Sequence, residues 1–187
     1  MSEHEMENIV EETVKKSPQR EMLEWVISIL VAVIIALLIR NYIFTIVRVD
    51  GTSMVPTLHH NDRLIVWRLG YNPKKGDIIV LHQKGERPFI KRIIATEGQT
   101  VDIDFDTQKV YVDGVEQDEP FINEPTAETG DMEFPVKVEE NTVFVMGDNR
   151  NNSKDSRFKS VGLVDNEDVL GQAVVRFFPF NSACIFK

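Results

Sequence analysis

Hydrophobic and polar positions divide the chain into two regimes. Residues 25–39 carry no charge, and from 22 to 47 only Glu24 and Arg40 do. That run reaches the ~20 apolar residues an α-helix needs to cross a bilayer. Trp25 and Tyr42 bracket it as interfacial aromatics would. A cleaved leader has a shorter apolar core and a small-x-small cleavage site. Here the run ends in Leu38-Ile39-Arg40-Asn41-Tyr42. A buried soluble helix is the other competitor, and such uniform apolarity would be unusual for one. The expected layout is a tail over 1–21, a spanning helix over 22–43 and a folded domain over 44–187. Lys15, Lys16 and Arg20 precede the span, and Arg40 and Arg48 follow it. The small excess favours an inside N-terminus.

Beyond residue 44 the pattern changes to short runs rich in Val, Ile and Phe, separated by Gly, Pro, Asn and Asp. These predict strands over 45–49, 64–68, 77–82, 89–95, 100–104, 109–112, 142–146 and 172–177. Asp113-Gly114 is a tight-hairpin signal. No convincing amphipathic helix and no repeat is visible in this part. The expectation is a mainly β, barrel- or sandwich-like domain behind one N-terminal helix. Residues 115–140 are acidic, contain Pro120, Pro125 and Pro135, and lack periodicity. They read as an extended surface excursion.

Charge narrows the function classes. The net charge is −9, with −4 in residues 1–24 and no long basic run, so the footprint of a nucleic-acid binder is missing. Cys184 is the single cysteine, which rules out an internal disulfide. It has the position of a prenylation box, but Lys187 is the wrong last residue, and an apolar packing position is the better reading.

Candidate chemistry lies in three segments. Familiar elbows, metal-ligand helices and phosphate loops are absent from the sequence, and no cofactor or metal is expected. His59 and His60 are adjacent and read as solvated; His4 and His82 are isolated. In Asp50-Gly51-Thr52-Ser53-Met54-Val55-Pro56-Thr57-Leu58, Gly51 breaks an apolar strand sharply. A serine just past such a break exposes its hydroxyl and its own N–H together, as a nucleophile with an oxyanion donor requires. Alone, Ser53 reads first as a turn or cap residue. In Phe89-Ile90-Lys91-Arg92-Ile93-Ile94-Ala95, strand alternation puts Lys91 on the face of Phe89, Ile93 and Ala95. Desolvation there lowers a lysine's pKa and makes it a base; alone, Lys91 reads first as snorkelling to water. The loop from Met146 to Arg157 is dense in hydrogen-bonding side chains and suited to bracing a site; a solvated loop is the competing reading. Asn151-Asn152-Ser153 also fits a glycosylation sequon, a short pattern of low specificity.

Together and in this order, the apolar span, Gly-x-Ser-Met-x-Pro-Thr-Leu, the Lys-Arg strand and Gly147-Asp148-Asn149-Arg150 resemble the bacterial type I signal peptidases, in their short single-span Gram-positive-like form. Gly76-Asp77-Ile78-Ile79-Val80 and the end near Pro179 match as well. The resemblance implies the mainly β Ser-Lys peptidase fold shared with LexA-like self-cleaving repressors. It implies Ser53 as nucleophile and Lys91 as general base. Ser153 matches a serine that orients the lysine, Asp155 and Arg157 a supporting charged pair, and Met54 a residue beside the substrate groove. Gly51 stands where some members carry a serine whose hydroxyl serves the oxyanion hole. Asn151 replaces a frequent Asp, and Gln99 a common acid.

The implied activity is cleavage of signal peptides from exported preproteins after small residues of the Ala-x-Ala type. The implied partners are those peptides, membrane lipid and a nearby secretion translocon, with the catalytic domain outside the cell membrane. Two alternatives stand beside it: a Ser-Lys peptidase dedicated to a narrow substrate set, and a non-enzymatic membrane-bound substrate-binding homologue.

Overall fold

The computed structural model describes residues 17–82, 85 and 87–186. The tail calls, with Glu3 to Glu12, His4, Lys15 and Lys16, lie outside the described residues. The chain divides into two compact units, Met1–Asn41 and Tyr42–Lys187.

In the first unit, helix α1 spans Pro18–Leu38. Ser17 caps it, its side chain accepting from the Arg20 N–H at 3.4 Å, and proline occupies the first turn, where its missing N–H costs nothing. Mean hydropathy is 2.4 over the helix's most apolar 18-residue window, and none of its residues is buried. A helix of that length and apolarity, uncovered by protein, is matched to hydrocarbon. A π-helical turn, Ile39–Ile43, follows it.

The second unit is antiparallel β structure. Its strands are β1 (Phe44–Arg48), β2 (Arg63–Trp67), β3 (Ile78–Leu81), β4 (Phe89–Thr96), β5 (Thr100–Asp104) and β6 (Lys109–Val112). After these come β7 (Val115–Glu116), β8 (Val136–Lys137), β9 (Thr142–Met146), β10 (Val164–Asp165), β11 (Val169–Phe178) and β12 (Cys184–Ile185). The larger sheet runs β1-β2-β11-β3-β4-β9-β10, with β12 also paired to β11; the smaller runs β7-β6-β5-β8. Each of the eight expected strands has a counterpart. The four unexpected ones are two residues long, too short to show alternation. Asp113 and Gly114 both take positive φ, 52° and 77°, as a tight hairpin between β6 and β7 requires.

Two features position the site. The turn between β1 and β2 is closed at its base by Val49 N–H to Asp62 O at 2.8 Å and Asn61 N–H to Val49 O at 2.9 Å. From it, Val49, Met54 and Leu58 enter one core cluster with Leu64, Val66, Ile78, Val80, Ile90 and Ala173, so apolar burial fixes the turn against the sheet. Strand β4 lies between β3 and β9, which makes it an interior strand. Its register against β9 shifts between Ile93 and Ala95. This bulge sends Ile94 and Ala95 into the same core cluster while Ile93 joins another. Ala95 therefore leaves the face that strict alternation assigned it with Lys91.

The excursion over 115–140 is more than a solvated connection: Thr126 is fully buried and Glu119 pairs with buried Arg150 at 2.6 Å. The aromatic segment near the C-terminus is not simply core. Phe178 and Phe180 are exposed, their rings 5.6 Å apart and edge-on. Ile46, Trp67, Leu69 and Ile185 are also exposed on or beside β1, β2 and β12.

Candidate active site

Gly51 takes φ of 103°, a conformation costly for residues with a Cβ. Strand β1 has already ended at Arg48, and Ser53 sits in the turn that Gly51 opens. The Ser53 carbonyl accepts from the Asn149 N–H at 3.0 Å. The Asn149 side chain donates to Thr52 O at 3.1 Å, and that of Asn152 donates to Thr52 Oγ1 at 3.1 Å. The loop after β9 thus grips residues 52 and 53 by the backbone carbonyl side, not through the Ser53 N–H.

Lys91 is 3 % exposed. Its Nζ donates to Ser53 Oγ at 2.9 Å and to Ile90 O at 3.2 Å, and lies 5.1 Å from the centre of the Phe89 ring. Burial pushes its pKa from 10.5 down to about 8. Asp155 acts in the opposite direction, Arg157 adds to the fall, and Asp148 opposes it. Removal from water therefore dominates. The result is an amine in contact with a serine hydroxyl and largely relieved of its charge in weakly alkaline water.

Behind the pair lie three arginine–carboxylate pairs. Arg157 and Asp155 are both fully buried. The arginine donates from Nε and Nη2 to the two carboxylate oxygens at 2.8 Å each, and further to the carbonyls of Glu128, Arg150 and Ser153. Asp155 also accepts the Gly147 N–H at 3.0 Å. Arg92 forks onto Asp148 at 2.8 and 2.7 Å, donates to Gly76 O, and stacks on Phe121 at 4.0 Å. Thr57 Oγ1 donates to the same Asp148. Buried Arg150 pairs with Glu119 and bonds Thr126 Oγ1 and Gly147 O. The Arg150 and Arg157 guanidiniums are buried and paired, the condition under which buried charge is tolerated, and Arg92, partly exposed, is paired with a buried carboxylate.

Gly147 is a point of close approach between the loop and the Ser53 turn. A Cβ there would lie 2.3 Å from Ser153 Oγ and 2.5 Å from Ser53 O, so only glycine lets the loop approach both. Ser153 Oγ is buried with no hydrogen-bond partner. Asn151, of the sequon, has its side chain engaged by the backbone of residues 125–128.

Ser53 and Lys91 open onto a groove of about 680 Å³, also lined by Gly51, Met54, Arg87 and His60. Met54 borders it while 98 % of its surface is buried in core. The structure therefore brings together Ser53, Lys91, Ser153, Asp155, Arg157, Gly51 and Met54. It adds Asn149, Asn152, Arg92, Asp148 and His60, which the sequence reading did not single out for the site. The polar density of the loop pointed toward the two asparagines. The Arg92–Asp148 pair joins strand β4 to the loop after β9 and leaves no local pattern. Among the described residues, no group of His, Cys, Asp and Glu is placed to hold a metal ion.

Comparison with known proteins adds an independent line. The family model described as signal peptidase, peptidase S26, matches residues 22–178. The chain is 41 % identical over 183 residues to a signal peptidase I of Bacillus licheniformis, covering 90 % of this chain and 96 % of that protein. It is 40 % identical to signal peptidase I S of Bacillus subtilis (88 % and 94 % covered) and 35 % identical to signal peptidase IB of Staphylococcus aureus (87 % and 93 %). A crystal structure of a signal peptidase I from Enterococcus faecalis aligns with a TM-score of 0.45 at 28 % identity, covering 55 % of this chain and 97 % of that one. The family match takes in the apolar helix, the Ser53 turn, the Lys91 strand and the Gly147–Arg157 loop alike: the chain belongs to the signal peptidase family, peptidase S26.

Proposed function

We propose that this peptidase removes signal peptides from exported preproteins, with Ser53 as nucleophile and Lys91 as general base. The observation that carries the assignment is the 2.9 Å contact of the Lys91 amine with Ser53 Oγ, together with the burial that brings the amine to about 8. Neutral Lys91 takes the hydroxyl proton as Ser53 Oγ attacks the scissile carbonyl. The oxyanion forms against the Ser53 backbone N–H. The leaving amine takes the proton back from Lys91, and the resulting acyl-enzyme is hydrolysed by a water that Lys91 deprotonates. In the neutral amine Nζ keeps two hydrogens and a lone pair; the lone pair faces the Ser53 hydroxyl and one hydrogen is placed on Ile90 O. Ser153 Oγ, buried and unpartnered, is assigned as acceptor for the second. Asp155 and Arg157 hold the loop that grips Ser53. The groove accepts small residues, typically Ala, at the first and third positions before the cut, in line with the family resemblance.

The tail over 1–21 is assigned to the cytoplasm, the helix to the cell membrane and the domain from 44 to the outer face. The exposed apolar strip from Ile46 to Phe180 and Ile185 is assigned to lipid contact, and the secretion translocon to its neighbourhood.

The test is cleavage by the detergent-purified chain of a preprotein with Ala at those two positions. Ser53→Ala and Lys91→Ala should each abolish it. In the wild type, kcat/KM should rise about tenfold per pH unit and level off above about pH 8, where the base is neutral. Cleavage surviving either substitution overturns the assignment.

A further inference from the structure

His60 sits in the turn that carries Ser53, half exposed, and lines the same groove. Its Nδ1 accepts the Gly51 N–H at 3.2 Å. Nδ1 must then carry a lone pair, with the ring proton on Nε2. Asp50 Oδ1 lies 3.5 Å from the same nitrogen, and the other Asp50 oxygen is paired with Arg87. The remaining charged groups around the turn are engaged elsewhere: Arg48 on Asn61, and Asp62 on the His59 N–H and Arg176. Lys91 and Lys154 line the groove as well.

Ser53 is thus held from two sides. Asn149 and Asn152 fix residues 52 and 53 through bonds that do not titrate. His60 fixes residue 51 through one that does. Between them Gly51 is a joint with φ of 103° and open space at its Cβ position.

We propose that His60 is a positioning residue for the Ser53 turn, active only as the neutral imidazole. Uptake of a proton at Nδ1 turns the acceptor into a donor, expels the Gly51 N–H, and turns the ring toward the Asp50 carboxylate. The turn therefore loosens as that proton is taken up, and cleavage loses a factor beyond that set by Lys91. This inference rests on the Ser53–Lys91 reading above.

The experiment has two arms. In the first, kcat and KM for preprotein cleavage are followed from pH 5 to 9. His60→Ala should lower kcat about five- to tenfold at pH 8, the worth of one hydrogen bond, with KM little changed. His60→Asn, whose Oδ1 keeps an acceptor near Nδ1, should restore most of that loss. The wild type should show an extra step of similar size as the pH is lowered, a step that His60→Asn lacks. In the second arm, the Gly51 amide resonance is followed by NMR in the inactive Ser53→Ala full chain, labelled at its ten glycines. It should move as the pH is lowered, and stop moving when His60→Asn is added. An unmoving Gly51 resonance, or an acid step shared by wild type and His60→Asn, overturns the proposal while leaving the dyad intact. Cleavage by the Ser53→Ala chain itself would instead overturn the dyad.

Discussion

If burial makes Lys91 a base, the same burial must weaken the fold, and removing the amine should strengthen it. The fall from 10.5 to about 8 corresponds to about 3 kcal/mol at ~1.4 kcal/mol per pH unit. The folded-state value lies below the unfolded one, so folding expels a proton. The cost is fully present below about pH 8 and disappears as pH rises toward 10.5, where the amine is neutral in both states. Lys91→Met keeps an unbranched apolar stem of similar volume. It strands Ser53 Oγ and Ile90 O, a loss of about 1 kcal/mol. The net expectation at pH 7 is a gain of about 2 kcal/mol, or about 6 °C in Tm for a domain of this size. The measurement is near-UV circular dichroism during thermal unfolding of the detergent-solubilised full chain, wild type against Lys91→Met, at pH 7 and pH 10. Titration of other groups cancels in the difference. A variant less stable at pH 7, or a difference equal at the two pH values, would refute the claim that desolvation sets the amine's basicity.

Two further substitutions probe the loop. Gly147→Ala inserts a methyl 2.3 Å from Ser153 Oγ and 2.5 Å from Ser53 O; the nucleophile's turn must shift, and kcat should fall about 100-fold, read by steady-state cleavage assays. Arg157→Met leaves Asp155 buried without its partner and should cost about 3–5 kcal/mol, whereas adding Asp155→Asn should return part of that loss, a non-additivity that paired unfolding curves would expose.

The strands were legible because the residues that form them alternate or run apolar over four or more positions, as in 78–81 and 142–146. The helix was legible because nothing in it asks for protein neighbours. The bulge at Ile94 was not. A bulge adds one residue to one strand of a pair, and the partner strand β9 lies some fifty residues away. Nor did the acidic, proline-rich stretch over 115–140 reveal its contacts. Glu119 and Thr126 look like ordinary solvated residues until Arg150 is placed against them. Desolvation of Lys91 by its apolar neighbours was one of two readings the sequence allowed, beside snorkelling to water, and desolvation is the cause the structure gives. The hydroxyl it meets comes from a turn 38 residues earlier, a meeting that only the resemblance to a family anticipated.

The pairs behind the dyad also answer how a lysine stays weakly charged beside so many ions. Asp155 and Asp148 would hold the amine protonated, and Arg157 works against them. Because Asp155 is locked to Arg157 in a two-pronged contact, that carboxylate's field at Nζ is countered by its own partner. What remains is the loss of water, which no ion in the loop reverses. A dense salt-bridge network therefore gives rigidity without dictating the charge of the base at its centre. Carboxylates of the same number left unpaired would have fixed Ser53 equally near the amine, but beside an ammonium unable to take its proton.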